Sequence, residues 1–279
     1  MARINQKVGF ICGAGHSGST LLGLILGSHR DCFYCGEANK TRYFQDLHKP
    51  ERKRTCKICG SNCPVWGDFV VIDSLDIYEQ LSRQTGKAIV IDSTKEIKWI
   101  TEQITAIENT NSQIFLLFMQ RDGRAVINSY LRKYPENNVE QRINSWVEKI
   151  NNTQLFYEQF SGKKSKVKYE ELASKPAEVT KRLCDFFEIE YQPEMVEYYL
   201  HEHHPIGGNS GTQFLVAKAQ NKNLDTSFAK VSENRRDYYQ NHGLEISLDL
   251  RWREELDPDV ERLFVKIAGK INEEFKWEV

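Results

Sequence analysis

Val8-Gly-Phe-Ile-Cys12, then Gly13-Ala-Gly-His-Ser-Gly-Ser-Thr20, then Leu21-Leu-Gly-Leu-Ile-Leu-Gly-Ser28: the reading of residues 8–28 decides the fold. A short apolar run, a loop of small residues and a run with helical apolar spacing read as strand, tight loop and helix. Gly13, Gly15 and Gly18 let the backbone fold tightly and turn its N–H groups toward one point. Ser17, Ser19 and Thr20 stand where the helix begins, placed to cap it and to reach a phosphate oxygen. The helix N-terminus adds partial positive charge. The predicted product is an anion cradle; the plainer alternative is an ordinary strand–helix turn. Gly13 and Gly18 keep the glycine spacing of a nucleotide triphosphatase P-loop, but Ser19 stands where that loop carries its Lys. The loop is therefore equipped to hold a phosphate and not to split ATP. Gly13, Gly15 and Gly18 also satisfy Gly-x-Gly-x-x-Gly, a pattern that decides nothing alone.

The remainder of the chain supplies the sheet. Residues 88–92, 114–119 and 166–169 read as further strands. Helical spacing is expected over 64–84, 96–108, 123–130, 139–160 and 176–188, and again from Pro258 onward. Residues 201–214 read as loop, and 215–240 are polar with weak periodicity. Strands alternating with helices predict an α/β fold with a parallel central sheet. A chain of 279 residues fits a single domain, here with a cysteine-rich insert at about 32–66 and a helical C-terminal part at about 215–279. The formal net charge of −1 gives no footprint for nucleic acid. No apolar run is long enough to span a membrane, and no leader precedes the first strand, so the expected setting is cytoplasmic.

Ligands of parallel sheets bind beyond the carboxyl ends of the strands. The clusters there are the loop 13–20, Asp92-Ser93-Thr94-Lys95, Arg121-Asp122 and Tyr169-Glu170, all predicted on one edge. One phosphate loop and two strong cations imply a polyanionic ligand.

Residues 115–130 sharpen this. An apolar strand, then Arg121-Asp-Gly-Arg-Ala125, then Ser129, resembles the second signature of the sulfotransferase family. Those enzymes use 3′-phosphoadenosine 5′-phosphosulfate (PAPS) as donor. Gly13 to Leu21 resembles the family's first signature, in which His16 takes the place of a Lys or Arg. The two motifs together are specific, and the likeness covers roughly residues 8–210. It implies a P-loop-like sulfotransferase fold, PAPS as co-substrate, its desulfated form PAP as product, and no catalytic metal. By this likeness Gly15, His16, Ser17, Gly18, Ser19 and Thr20 hold the 5′ end, while Arg121 and Ser129 hold the 3′-phosphate. Tyr169, opening Tyr-Glu-Glu-Leu, is placed near the adenine or else is a core aromatic. Gly207, Gly208 and Asn209 resemble a loop that closes over the nucleotide, or form an ordinary glycine turn.

For the general base, small-molecule members use a His after the second strand, and residues 93–100 contain none. Tyrosylprotein members and several bacterial ones use the Glu of Cys-Gly-Glu, which Cys35-Gly36-Glu37 matches. Glu37 is thus the implied base, helped if burial raises its pKa. Lys95 is the implied stabiliser of the leaving oxygen. His16 is an alternative base and is expected on the 5′ side, its grip on an anion falling as pH rises through its pKa. The acceptor is left open among small alcohols, carbohydrates, lipids and peptide tyrosine. A P-loop kinase or NTPase, and a non-catalytic PAP-binding protein, are the competing readings.

Five of the seven cysteines fall between 32 and 63. Cys56, Cys59 and Cys63 are close enough to hold one metal ion, with Cys35 or Cys32 as a fourth ligand of a structural zinc site. Free thiols or a disulfide are the alternatives.

Overall fold

The computed structural model describes residues 2–72, 74–221, 229, 231, 238, 239, 241 and 243–278. Most of the polar stretch after Gln220 therefore lies outside the described residues. Five parallel strands form the centre: β1 (Lys7–Gly13), β2 (Cys32–Gly36), β3 (Ile89–Asp92), β4 (Gln113–Gln120) and β5 (Lys163–Lys168), in the order β2-β3-β1-β4-β5. The inner strands are unbroken apolar runs because helices cover both faces of a parallel sheet. Phe10, Ile11, Val90, Ile91 and Leu116 to Met119 are fully buried.

Residues 32–36, counted with the cysteine-rich insert from the sequence, are the edge strand β2. Its five residues gave too short an apolar run to separate from the loop around it. Residues 64–72 and 74–76, expected as helix, are turns and irregular chain, and the helix α2 covers only Ile77–Thr85. Asp76 starts it by accepting from the amides of Tyr78 and Glu79.

Helix α1 (Ser19–Gly27) is apolar all round and buried. Gly23 and Gly27 lie under Tyr34, where a Cβ on Gly27 would stand 2.5 Å from the Tyr34 Cβ. That contact brings α1 and β2 close and sends the Tyr34 hydroxyl to Ser93 Oγ, 2.8 Å away. Helices α3 (Ile97–Ile107), α4 (Gly123–Lys133) and α5 (Val139–Gln159) follow β3 and β4. Then α6 (Tyr169–Ser174) and α7 (Pro176–Phe187) follow β5, and α8 (Ser210–Ala219) follows a glycine turn. Tyr169 accordingly opens a helix and does not end a strand.

The C-terminal helix, Pro258–Asn272, begins with Asp257 accepting from the amide of Asp259 at 2.8 Å. It packs Phe264 on Trp146, with ring centroids 5.5 Å apart. Its Asn272 accepts from the Gly123 amide at 2.7 Å and donates to Asp122 at 3.2 Å. The end of the chain thereby fixes the turn that carries Arg121.

Register sets where the strands stop. Gly13 pairs with Met119, and Phe10 with Asp92, so β1, β3 and β4 end along one edge. Successive connections change direction beside β1, the place where such sheets leave a crevice. Among the described residues, no helix is long and apolar enough to cross a membrane.

Candidate active site

A cavity of about 260 Å³ lies at this edge. Gly15, His16, Gly18, Ser19 and Thr20 form one wall, and Glu37 and Lys95 form another. Arg121, Ser129 and Tyr169 close one end, with Gly208 and Asn209 beside Thr20. Of the residues singled out in the sequence, Ser17 and Gly207 do not line it, and neither does the cysteine group.

The loop owes its shape to its glycines. Gly18 has φ +94°, and a Cβ there would stand 2.6 Å from Tyr169 Cδ2, so only glycine lets the loop lie on that ring. Ser17, expected to reach a phosphate, turns its buried hydroxyl inward and donates to the Ala14 carbonyl at 2.8 Å. His16 holds φ +64°. Its Nδ1 is 3.0 Å from Ser129 Oγ, and its ring meets Tyr130 edge-on. The ring therefore faces the Arg121–Ser129 end, away from the side expected from the sequence. Thr20 Oγ1 accepts from the Asn209 amide at 2.9 Å, while the Asn209 side chain caps α8. The N-termini of α1 and α8 both meet this wall, each with its partial positive charge.

Arg121 is nearly buried, at 8% exposure. It donates to the His16 carbonyl at 2.9 Å and lies 4.1 Å above the Tyr169 ring. Its Nε is buried with no hydrogen-bond partner among the described residues. The other edge of the guanidinium meets Asp249 Oδ2 at 3.3 Å, and Arg251 grips the same carboxylate at 2.7 and 2.8 Å. Burial pushes the Asp249 carboxyl up, but Arg251 and Arg121 outweigh it and hold it well below the usual range. Asp249 and Arg251 carry no spacing signal, and sequence reasoning missed both.

Glu37 and Lys95 face each other, Oε1 to Nζ, at 3.4 Å, and Lys40 stands 3.7 Å from Oε2. Burial pushes Glu37 up, as expected, yet Lys95 and Lys40 reverse the sign, and its pKa lies below the ordinary 4.5. The carboxylate is kept ionised. Its backbone is fixed from two directions. The Glu37 amide donates to Ile206 O at 2.6 Å, and the next amide, of Ala38, donates to Asp92 at 3.1 Å. The fully buried Asp92 also accepts from Thr94 N, Tyr78 Oη and Trp99 Nε1, and burial raises its pKa. Asp92 thus ties the segment bearing Glu37 to the segment bearing Lys95.

The cysteines are arranged differently from expectation. Cys56, Cys59 and Cys63 do converge, but the fourth member is His204, with all four ligand atoms within 4.8 Å of one another. Cys35 is excluded from the group because strand β2 turns its thiol into the sheet, where it donates to the Ile91 carbonyl at 3.2 Å. Cys32 is likewise buried in β2.

Fold and cavity define a class first: a parallel α/β protein with a glycine loop and a stacked arginine facing one crevice. The profile of the sulfotransferase family matches residues 10–193, more than half of the chain, and the chain belongs to that family. A Caenorhabditis briggsae protein provisionally named as a protein-tyrosine sulfotransferase is 25% identical over 225 residues, 77% of each chain. The sulfotransferase domain of the curacin biosynthetic pathway superposes with a TM-score of 0.61 at 18% identity, covering 99% of this chain and 100% of that one. The corresponding domain of the Synechococcus PCC 7002 olefin synthase gives 0.56 at 19% identity, with 95% of each chain covered. At these identities the two structures speak for the fold.

Proposed function

We propose that this sulfotransferase moves a sulfuryl group from PAPS to an acceptor hydroxyl or amine. The observation that carries the proposal is the convergence, in one cavity, of the loop 13–20, the Arg121–Tyr169–Ser129 end and the Glu37–Lys95 pair. The donor fits the donor set. Its phosphosulfate would take the loop amides and the N-terminus of α1. Its 3′-phosphate would take Arg121, Ser129 and His16, and the orphaned Nε of Arg121 is the buried donor such an anion would satisfy. Its adenine would lie by Tyr169.

The acceptor oxygen attacks sulfur as the bond to the 5′-phosphate oxygen breaks, and Glu37 takes the acceptor proton. Lys95 offsets charge on the departing oxygen. Transfer by in-line displacement asks the protein chiefly for position and for stabilised charge. The ionised Glu37 suits a base that must be free to accept a proton. An NTPase reading is opposed by Ser19 in the Lys position. A purely PAP-binding role leaves the Glu37–Lys95 pair without purpose.

The test uses ³⁵S-labelled PAPS with fractionated acceptors, tyrosine peptides forming one arm in view of the nematode relative's name. Label transfer that Glu37→Gln abolishes while PAP still binds supports the proposal. Undiminished transfer in that variant, or failure of the wild-type chain to bind PAP, overturns it.

A further inference from the structure

Three cysteines and one histidine from distant parts of the chain meet at one point. Cys56 and Cys63 are buried and Cys59 half-buried, and none is in a disulfide. His204 Nδ1 lies 3.2 Å from Cys59 Sγ and 3.4 Å from Cys63 Sγ. Tetrahedral zinc, with Zn–S of about 2.3 Å and Zn–N of about 2.0–2.1 Å, requires ligand atoms about 3.5–3.8 Å apart. The four atoms, with His204 Nδ1 at 3.2 and 3.4 Å from two of the sulfurs and all four within 4.8 Å of one another, bracket that range.

The surroundings fit as well. The Cys59 amide points at Cys56 Sγ, 3.4 Å away. Gly60 turns the chain at φ +73°, its amide on the Cys56 carbonyl. The outer nitrogen of His204, Nε2, is 3.2 Å from Glu202 Oε1, the carboxylate–histidine arrangement that orients an imidazole ligand and fixes its tautomer.

We propose that Cys56, Cys59, Cys63 and His204 bind one structural Zn²⁺, and that this ion clasps the glycine turn 205–209 onto the segment carrying Glu37. Binding by three thiolates and a neutral imidazole releases the three thiol protons and leaves a centre of net charge −1. Arg52, Lys53, Arg54 and Lys57 flank it in the chain. With every position taken by protein, the ion has no open site for substrate.

The clasp is built from backbone. The His204 carbonyl accepts from Trp66 Nε1 at 2.6 Å, and the Pro205 carbonyl from the Lys57 amide at 2.9 Å. Ile206 then pairs with both sides of Gly36, donating to Cys35 O at 2.9 Å and accepting from Glu37 N at 2.6 Å. Gly207 sits against the Glu37 carboxylate, where a Cβ would be 2.8 Å from Oε2. His204 is thus a positioning residue, immediately before the turn and three positions before the Gly207 that sits against the proposed base. Only this last link rests on the sulfuryl-transfer reading.

The test is metal analysis of the purified full chain, with cobalt substitution. The expected result is about one zinc per chain, lost in His204→Ala and in Cys59→Ser but retained in Cys35→Ser. The cobalt form should show tetrahedral d–d bands with charge transfer from three thiolates. Should His204→Ala fail to fold, the wild-type cobalt spectrum still separates three thiolates from four. On chelation, amide exchange at Ile206 and Glu37 should rise at least about tenfold, while PAP binding is measured separately. Sub-stoichiometric metal with no uptake of added Zn²⁺, a four-thiolate spectrum, or zinc retained in His204→Ala would each overturn the proposal. None of these results depends on whether the chain transfers sulfate.

Discussion

Gly36→Ala should damage both stability and turnover, and the structure sets the size. Gly36 holds φ +86°, which costs an L-residue about 1–2 kcal/mol. The new Cβ would stand 2.6 Å from the Ile206 nitrogen and closer still to its carbonyl oxygen. Both are backbone atoms, so the clash is relieved only by moving the turn off β2. That breaks Ile206 N to Cys35 O and Glu37 N to Ile206 O, each bond contributing about 0.5–1.5 kcal/mol. Strain and lost bonds together amount to on the order of 2–5 kcal/mol, which lowers Tm by roughly 5–15 °C in a chain of this size. Displacing Glu37 by about 1 Å costs about 100-fold in kcat. The control is Gly86→Ala: φ is +71° there too, but no atom lies within 4 Å of the added Cβ. That variant should show the strain cost alone, with kcat unchanged. Thermal melts and single-turnover transfer on the two variants decide the matter. If Gly36→Ala melts and turns over like Gly86→Ala, the turn does not hold Glu37 and the reasoning fails.

Arg121→Lys should weaken PAP binding by roughly 10- to 100-fold by calorimetry, because an ammonium cannot replace the planar fork or its stacking on Tyr169. Affinity within twofold of wild type would place the 3′-phosphate elsewhere. Asp249→Asn should tighten PAP binding by about fivefold, ~1 kcal/mol, since it removes an anion that competes for Arg121 and Arg251; weaker binding would make Asp249 an organiser of the two arginines and not a competitor. The pH profile carries a sign. Lys95 and Lys40 hold Glu37 below its ordinary 4.5, so it stays ionised as pH falls, and kcat at saturating PAPS should be level from neutrality down to that value. An acid limb near pH 6–7 would mean a raised carboxyl or a histidine base. Lys95→Met should move the acid limb upward, because burial then acts on Glu37 with one cation fewer.

What the sequence yielded, and what it withheld, follows from the range of the interactions involved. The loop 13–20 and the strand end at Arg121 were legible because parallel-strand burial and glycine-permitted backbone conformations are local demands on composition. The crevice was legible because strand ends in such a sheet share an edge. The sign of the Glu37 shift was not. Burial could be anticipated from the motif, but Lys95 comes to 3.4 Å only through the pairing of β2 with β3, across an interval of 58 residues. His204 failed for the same reason on a longer scale. The three cysteines announce a ligand set by spacing, and Cys35 is near them in sequence. Distance along the chain was the wrong measure: β2 commits the Cys35 thiol to the Ile91 carbonyl, while the turn before α8 returns His204 from 141 residues beyond Cys63. Asp249 and Arg251 add a third case, with no pattern of their own and meaning only beside Arg121. Each missed residue or contact modifies a group that the sequence did expose: Asp249 shields Arg121, the contact with Lys95 ionises Glu37, and His204 leads into the turn that holds Glu37 in place. The motif residues thus set what chemistry the cavity can attempt, and contacts across the sheet set the charge and position in which they attempt it.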